Sequence, residues 1–465
     1  MIGGKAYGVT HIGSFMRPVS LRTSALLLTL IMVLMPMTPF ANQNFDSSDS
    51  NPETNETLNE EIVMSSGNTG SADSLAFGLQ SGCAIGATGN IKCWGNGGDG
   101  QLGLGNTQNI GDSADETGTD LPFVNVGTNA SVDKIVMGDK HSCALFTNGS
   151  VKCWGESSVL GLGYSTSDGG FGDGYLETGD TLPFLQFPTG RHATMIEAGK
   201  SHTCAVMDND DLICWGDNSK GQLGLGDTAH RGDTTGEIGD NFAVTSVPTG
   251  RTIDSMALGW DHTCVVWDNY SVSCWGGNGH GQLGLDSTTD IGDGAGEMGD
   301  NLDFLDLPGT ASAITAGDGF TCAIVDDSGT DRVFCWGLND FGQLGIESTT
   351  NVGDGTGGSM SSISNADLSE EVQAIDAGED HVCAIVLKGS YRPVQCWGNG
   401  ADGRLGYGSQ DSRGTGPGSA SGMGSNLPYV RLNSGNTHYA YTATDIEVGA
   451  GTSCVIKSQG NNDIL

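Results

Sequence analysis

Thirteen cysteines carry the first chemistry legible in this chain. Cys83/Cys93, Cys143/Cys153, Cys204/Cys214 and Cys264/Cys274 are pairs ten residues apart, and Cys322/Cys335 and Cys383/Cys396 are pairs thirteen apart. The extra residues of the longer pairs lie in the turn between them (DSGTDR, KGSYRP). A hairpin with a longer tip still brings its arms level, so both spacings admit a disulfide across two adjacent strands. Zinc or redox chemistry suits the pattern poorly, because no CxxC occurs and successive pairs stand about 60 residues apart. Cys454 is left over and is expected to be unpaired.

Carboxylates form the second group. A loop pattern GD-x3-E-xGD recurs as Asp173, Glu177, Asp180, then Asp233, Glu237, Asp240, then Asp293, Glu297, Asp300, with Asp112, Glu116 and Asp120 a near match. Clustered oxygen ligands between glycines suit calcium. They equally suit a hydrated loop whose Gly and Asp residues serve turn geometry, and the loss of the pattern in later repeats favours that plainer reading. No other cofactor is expected. His141, His202, His262 and His381 each stand two residues before a cysteine. Around a channel they would be bases or metal ligands. Other repeats have Ser81, Phe320 and Thr452 there, and equivalent ring positions lie too far apart to share an ion, so hydrogen-bonded structural histidines are expected. No GxSxG, HExxH, phosphate loop or dinucleotide fingerprint stands out, and no catalytic residue is named.

The elements that must position these groups follow from aligning the cysteines. HSCALFTNGSVKCWG (141 to 155), HTCAVMDNDDLICWG (202 to 216) and HTCVVWDNYSVSCWG (262 to 276) are copies of one unit, with looser copies at 81 to 95, 320 to 337 and 381 to 398. Each copy predicts four short strands. Strand a ends in Gly (KIVMG, MIEAG, AIDAG), strand b is the HxCA run and strand c the CWG run. After a Gly-rich bend such as GQLGLG comes strand d, for example LPFVNV (121 to 126) or LPFLQF (182 to 187). Copies begin near residues 71, 131, 192, 252, 310, 371 and 442. Four antiparallel strands repeated at this period describe an all-β, seven-bladed propeller. Trp94, Trp154, Trp215, Trp275, Trp336 and Trp397 follow the second cysteine directly; strand alternation turns them away from it, into the space between blades.

The run HTCAV…CWGDNSKGQLGLGD resembles the repeat of the regulator of chromosome condensation family, over residues 61 to 465. The resemblance implies a seven-bladed propeller and, through the family name, guanine-nucleotide exchange on a small GTPase.

The two ends differ from the interior. Residues 61 to 66 align with a strand d, which in a closed ring completes the last blade. TDIEVGAGTSCVIKSQGNND supplies strands a and b but no CWG, so the last blade is expected to be incomplete. Residues 1 to 41 contain Lys5, Arg17 and Arg22, no carboxylate, and the apolar run 25 to 37, which read as an export signal with cleavage after Ala41; an uncleaved anchor is the alternative. Residues 42 to 60 are polar and acidic and are expected to be a disordered leader. The remainder of the chain, 16 basic against 56 acidic residues, has a net charge of −40. That field repels phosphate backbones and argues against a nucleic-acid partner. Export implies an oxidising compartment in which the paired thiols persist. The expected function is a secreted or cell-surface, monomeric, non-catalytic scaffold that presents propeller-face loops to an extracellular protein or glycan. The alternatives are the GTPase regulator and a propeller-type hydrolase or lyase.

Overall fold

The computed structural model describes residues 28–33, 61–63, 72–86, 89–128, 131–164, 170–418, 420–432 and 440–458. They form seven antiparallel sheets, one per repeat, set radially as blades. Blade 3 shows the pattern: strand a Ala193–Ala198, strand b His202–Met207 and strand c Leu212–Gly216. Strand b is buried at all six positions, because each inner strand is covered on both faces by neighbouring blades; half-exposed sheets alternate instead. Strand a carries a register shift near its start in every blade, as between Ala193 and Met195, which adds twist where the strands crowd the axis.

The cysteines face each other directly across b and c, as in Cys204 opposite Cys214. Disulfides join Cys83–Cys93, Cys143–Cys153, Cys204–Cys214, Cys264–Cys274, Cys322–Cys335 and Cys383–Cys396. Cys454 is free and buried.

Blades are joined by a repeated polar circuit. His141, His202, His262 and His381, all fully buried, place Nε2 2.8 to 3.0 Å from the hydroxyl oxygens of Thr203, Thr263, Thr321 and Ser453 in the next blade. Thr263, Thr321 and Ser453 donate in turn to the carbonyls of Gln222, Gln282 and Arg404, so His202, His262 and His381 are the donors, neutral Nε2–H tautomers. The tryptophans lie in the same seams: Trp154, Trp275, Trp336 and Trp397 donate to Gln101, Gln222, Gln282 and Gln343 carbonyls of the preceding blade. Trp94 and Trp215 are buried too. In the bend, Gly224 has φ +67° and a Cβ there would lie 2.8 Å from Trp275 Nε1, so the turn and the approach of the ring both require glycine.

The glycines ending strand a close the ring. A Cβ on Gly199 would lie 2.4 Å from the Gly259 carbonyl oxygen, and one on Gly449 would meet Phe77 and, at 3.2 Å, the oxygen of Gly78. The seventh blade thus abuts the first.

Two expectations change. Strand d is reduced in most blades to one backbone bond, such as Val124 N–H to Ile91 O or Leu185 N–H to Val151 O, both 2.9 Å. Pro122 and Pro183 have no N–H with which to extend the ladder. Beside strand c of blade 2 the sheet instead takes Gly170–Phe171 from the c–d loop. In blade 7, strands a (Thr442–Val448) and b (Ser453–Ser458) come from the last repeat as expected. The slot expected to be empty is filled: Leu28–Val33 pairs with strand b, and Glu61–Val63 pairs outside it. An unpaired row of backbone N–H and C=O groups beside strand b is satisfied by any extended apolar segment within reach, and 28–33 is one. These six residues belong to the stretch read as an export signal. The acidic leader 42–60 and the cleavage position lie outside the described residues.

Candidate binding face

Antiparallel connectivity sends the a–b turns and the c–d loops to the same face of the ring. The seven strands a enclose a central cavity of about 290 Å³ that opens there. Its mouth is ringed by the residues that follow the closing glycines: Leu79, Asp139, Lys200, Trp260, Asp318, Glu379 and Ala450. The backbone links neighbours, with Asp139 N–H to Lys200 O at 2.9 Å and Asp318 N–H to Glu379 O at 3.0 Å, so these side chains are carried on a rigid collar.

The collar is chemically uneven. Lys200 Nζ sits 3.5 Å from the centroid of the Trp260 ring, an ammonium over an aromatic face. Around it stand three carboxyls with too little positive charge to balance them. Burial, reinforced by the charges of Glu379 and Asp261, pushes Asp318 up to about 7. Burial also raises Asp139 and Glu379, the latter helped by Asp380. Asp380 is itself engaged by Arg404 at 2.8 Å. Deeper in the cavity, Glu197 is ion-paired with Lys134, and Asp376 and Glu447 face each other. A site of this kind favours a cation: an ammonium or guanidinium gains the carboxylates, beside the Trp260 ring that Lys200 already covers.

The carboxylates singled out from sequence lie on the c–d loops, but as loop struts. Glu116, Glu237 and Glu297 accept the N–H of Gly111, Gly232 and Gly292 at 2.8 to 3.1 Å, and Glu177 accepts that of Gly174 at 3.0 Å. Asp180, Asp240 and Asp300 accept the N–H of Thr128, Thr189 and Thr249 of the preceding blade at 2.6 to 2.8 Å, and these bonds hold their carboxyls below the usual range. Burial raises Asp293, next to Glu297. Asp173 and Asp293 back onto the bends at Gly100 and Gly221 of other blades, and Asp233 opens the corresponding loop of blade 3. Among the described residues no group of three or more His, Cys, Asp or Glu side chains is arranged to hold a metal ion. The structure brings Asp293 and Glu297 together but turns Asp180, Asp240 and Asp300 away to threonines between blades. On the blade 2 loop Tyr175 is 90% and Leu176 74% exposed.

Sequence reasoning missed the collar. Its signal was present: next to the invariant strand-a glycine, the following column holds Leu79, Asp139, Lys200, Trp260, Asp318, Glu379 and Ala450, a varied set in which three carboxylates recur.

Known proteins place this geometry. The regulator of chromosome condensation (RCC1) repeat matches residues 89–145 and 330–385 by one description and 132–159, 196–222 and 311–343 by another. The ultraviolet-B receptor UVR8 of Arabidopsis thaliana is 28% identical over 335 residues, 70% of this chain and 64% of the receptor. The match thus spans just under two thirds of the receptor. Among solved structures, human WBSCR16 aligns over 94% of this chain and 99% of its own with TM-score 0.61 and 16% identity. Prp20p of Saccharomyces cerevisiae, studied for its binding to Gsp1p and histones, aligns over 95% and 93% with TM-score 0.60 and 18% identity.

Proposed function

Because the chain belongs to the regulator of chromosome condensation repeat family, whose propellers bind other proteins, we propose that it is a secreted or cell-surface, non-catalytic scaffold whose collar face holds a basic segment of an extracellular protein. The observation that carries this reading is the collar itself, where Trp260 and under-neutralised carboxyls ring the mouth of a cavity of about 290 Å³. A lysine or arginine side chain matches the under-neutralised carboxyls. The strongly acidic surface steers such a partner and repels nucleic acid.

Six disulfides support residence in an oxidising compartment. Export and blade closure make opposite demands on residues 28–33. As a cleaved signal they leave the protein; as a strand they stay in blade 7.

The test is capture of partners from the native extracellular milieu on the immobilised full chain at low and high salt, beside a Trp260→Ala/Asp318→Asn/Glu379→Gln variant. A salt-sensitive basic partner lost with the variant is the expected result; equal capture by both chains defeats the reading. Nucleotide release from a small GTPase, run alongside, separates it from the regulator activity that the family name suggests.

A further inference from the structure

Asp376 lies in strand a of blade 6 (Val372–Ala377) and Glu447 in strand a of blade 7 (Thr442–Val448). Asp376 Oδ2 accepts the Val448 N–H at 2.6 Å, and its Oδ1 accepts the Thr315 hydroxyl of blade 5 at 3.0 Å. One carboxylate therefore spans three blades. The Glu447 carboxyl hydrogen-bonds to the same group. At the equivalent position the other blades have Ala76, Val136, Glu197, Ala257 and Thr315, and Glu197 has Lys134 as its counter-charge. Among the described residues, the seam between blades 6 and 7 is where two of these strand-a carboxyls face each other across neighbouring blades.

We propose that Asp376 and Glu447 form a proton-operated latch on this seam, closed while they share one proton and loosened when both are ionised. A carboxyl–carboxylate bond is short and strong. Two carboxylates at the same place repel, and the surroundings do little to relieve them. Asp445 on the same strand and Glu197 of blade 3 add negative charge near Glu447. Lys134 of blade 2 faces Glu197 and Asp445. The Cys454 thiol of strand b lies on the other side, and Ala76 and Ala257 of blades 1 and 4 bring no charge. Blade 7 is also the blade completed by segments distant in sequence, which pair on the far side of its strand b.

Burial pushes Asp376 up to about 6 and Glu447 well above the usual carboxylate range. Raised values mean that the folded state holds the proton more tightly than the unfolded one, so the latch contributes fully in mild acid and is lost as pH rises through the raised values.

Cys454, buried in strand b of blade 7, is a built-in reporter. The full chain is labelled with a maleimide between pH 5.5 and 8.5, and each rate is divided by that of the urea-unfolded, disulfide-intact chain at the same pH. The ratio is expected to climb about tenfold per pH unit above about pH 6, the slope for one proton released. In Glu447→Gln, which keeps a donor but does not ionise, it is expected to stay level within about twofold. A level wild-type profile, or the same climb in the variant, overturns the latch. Should the variant not fold, amide protection of Val448 and Cys454 relative to Val206 of blade 3 decides on the wild type alone: protection independent of pH overturns the proposal.

Discussion

His262 makes the inter-blade circuit open to a quantitative test. It is fully buried, its Nε2–H meets Thr321 at 2.9 Å, and its Nδ1 has no hydrogen-bond partner. Burial holds its value down at about 3, against 6.5 for an exposed imidazole. The unfolded chain therefore binds a proton that the folded chain refuses, and stability falls as pH drops below 6.5, levelling only near 3. Each pH unit costs about 1.4 kcal/mol, so at pH 5 His262 alone removes about 2 kcal/mol. His141, held at about 4, and His202 and His381, at about 3, have the same sign. Together the four approach about 8 kcal/mol at pH 5, on the scale of a whole domain's stability. The raised carboxyls Asp318 and Asp376 act oppositely, gaining stability in acid, so raw acid lability mixes the two. The clean measurement is a difference: urea denaturation of wild type and His262→Gln from pH 7 to 5, followed by tryptophan near-ultraviolet dichroism. Glutamine keeps an N–H donor for Thr321 but does not titrate. The variant is expected to be the weaker at pH 7 by about 1 to 2 kcal/mol, and to recover about 2 kcal/mol relative to wild type by pH 5. A gap that stays constant across this range refutes the buried neutral histidine.

Gly199→Ala places a Cβ against the Gly259 carbonyl and the His202 ring; a loss of about 3 kcal/mol or more is expected by denaturant titration, whereas Gly236→Ala, with nothing within 4 Å, is expected to stay within about 0.5 kcal/mol. Replacing Cys264 and Cys274 together by Ala opens a ten-residue span and is expected to cost about 2 to 3 kcal/mol, while non-reducing peptide mapping of the wild type should return only nearest-neighbour pairs. Adding millimolar calcium is expected to leave the melting temperature unchanged, because Glu237, Glu297, Asp240 and Asp300 already take backbone donors; a rise of several degrees would restore the loops as ligands. N-terminal sequencing of the mature chain tells whether residues 28–33 remain to pair with Ser453–Ser458.

Cysteine and CWG spacing determined the hairpins, the number of blades and which sulfurs meet, because a hairpin's register is local: Cys322 opposes Cys335 for the same reason that Cys204 opposes Cys214, whatever the length of the turn. The inward turn of the tryptophans followed from strand alternation in the same way. What lay beyond the sequence was everything decided between blades. In sequence the loop carboxylates suit calcium or turn geometry alike, with turn geometry favoured; that Thr128, Thr189 and Thr249 of other blades hold Asp180, Asp240 and Asp300 appears only in the fold. Trp260, Asp318 and Glu379 stand scattered across more than a hundred residues and become one collar only when the strands a converge. The filled slot in blade 7 joins residues more than 400 positions apart. Local pattern encodes the unit through short-range backbone pairing, but the charge field at the axis depends on which side chains seven separate units bring to one centre, and only the closed ring sets those distances.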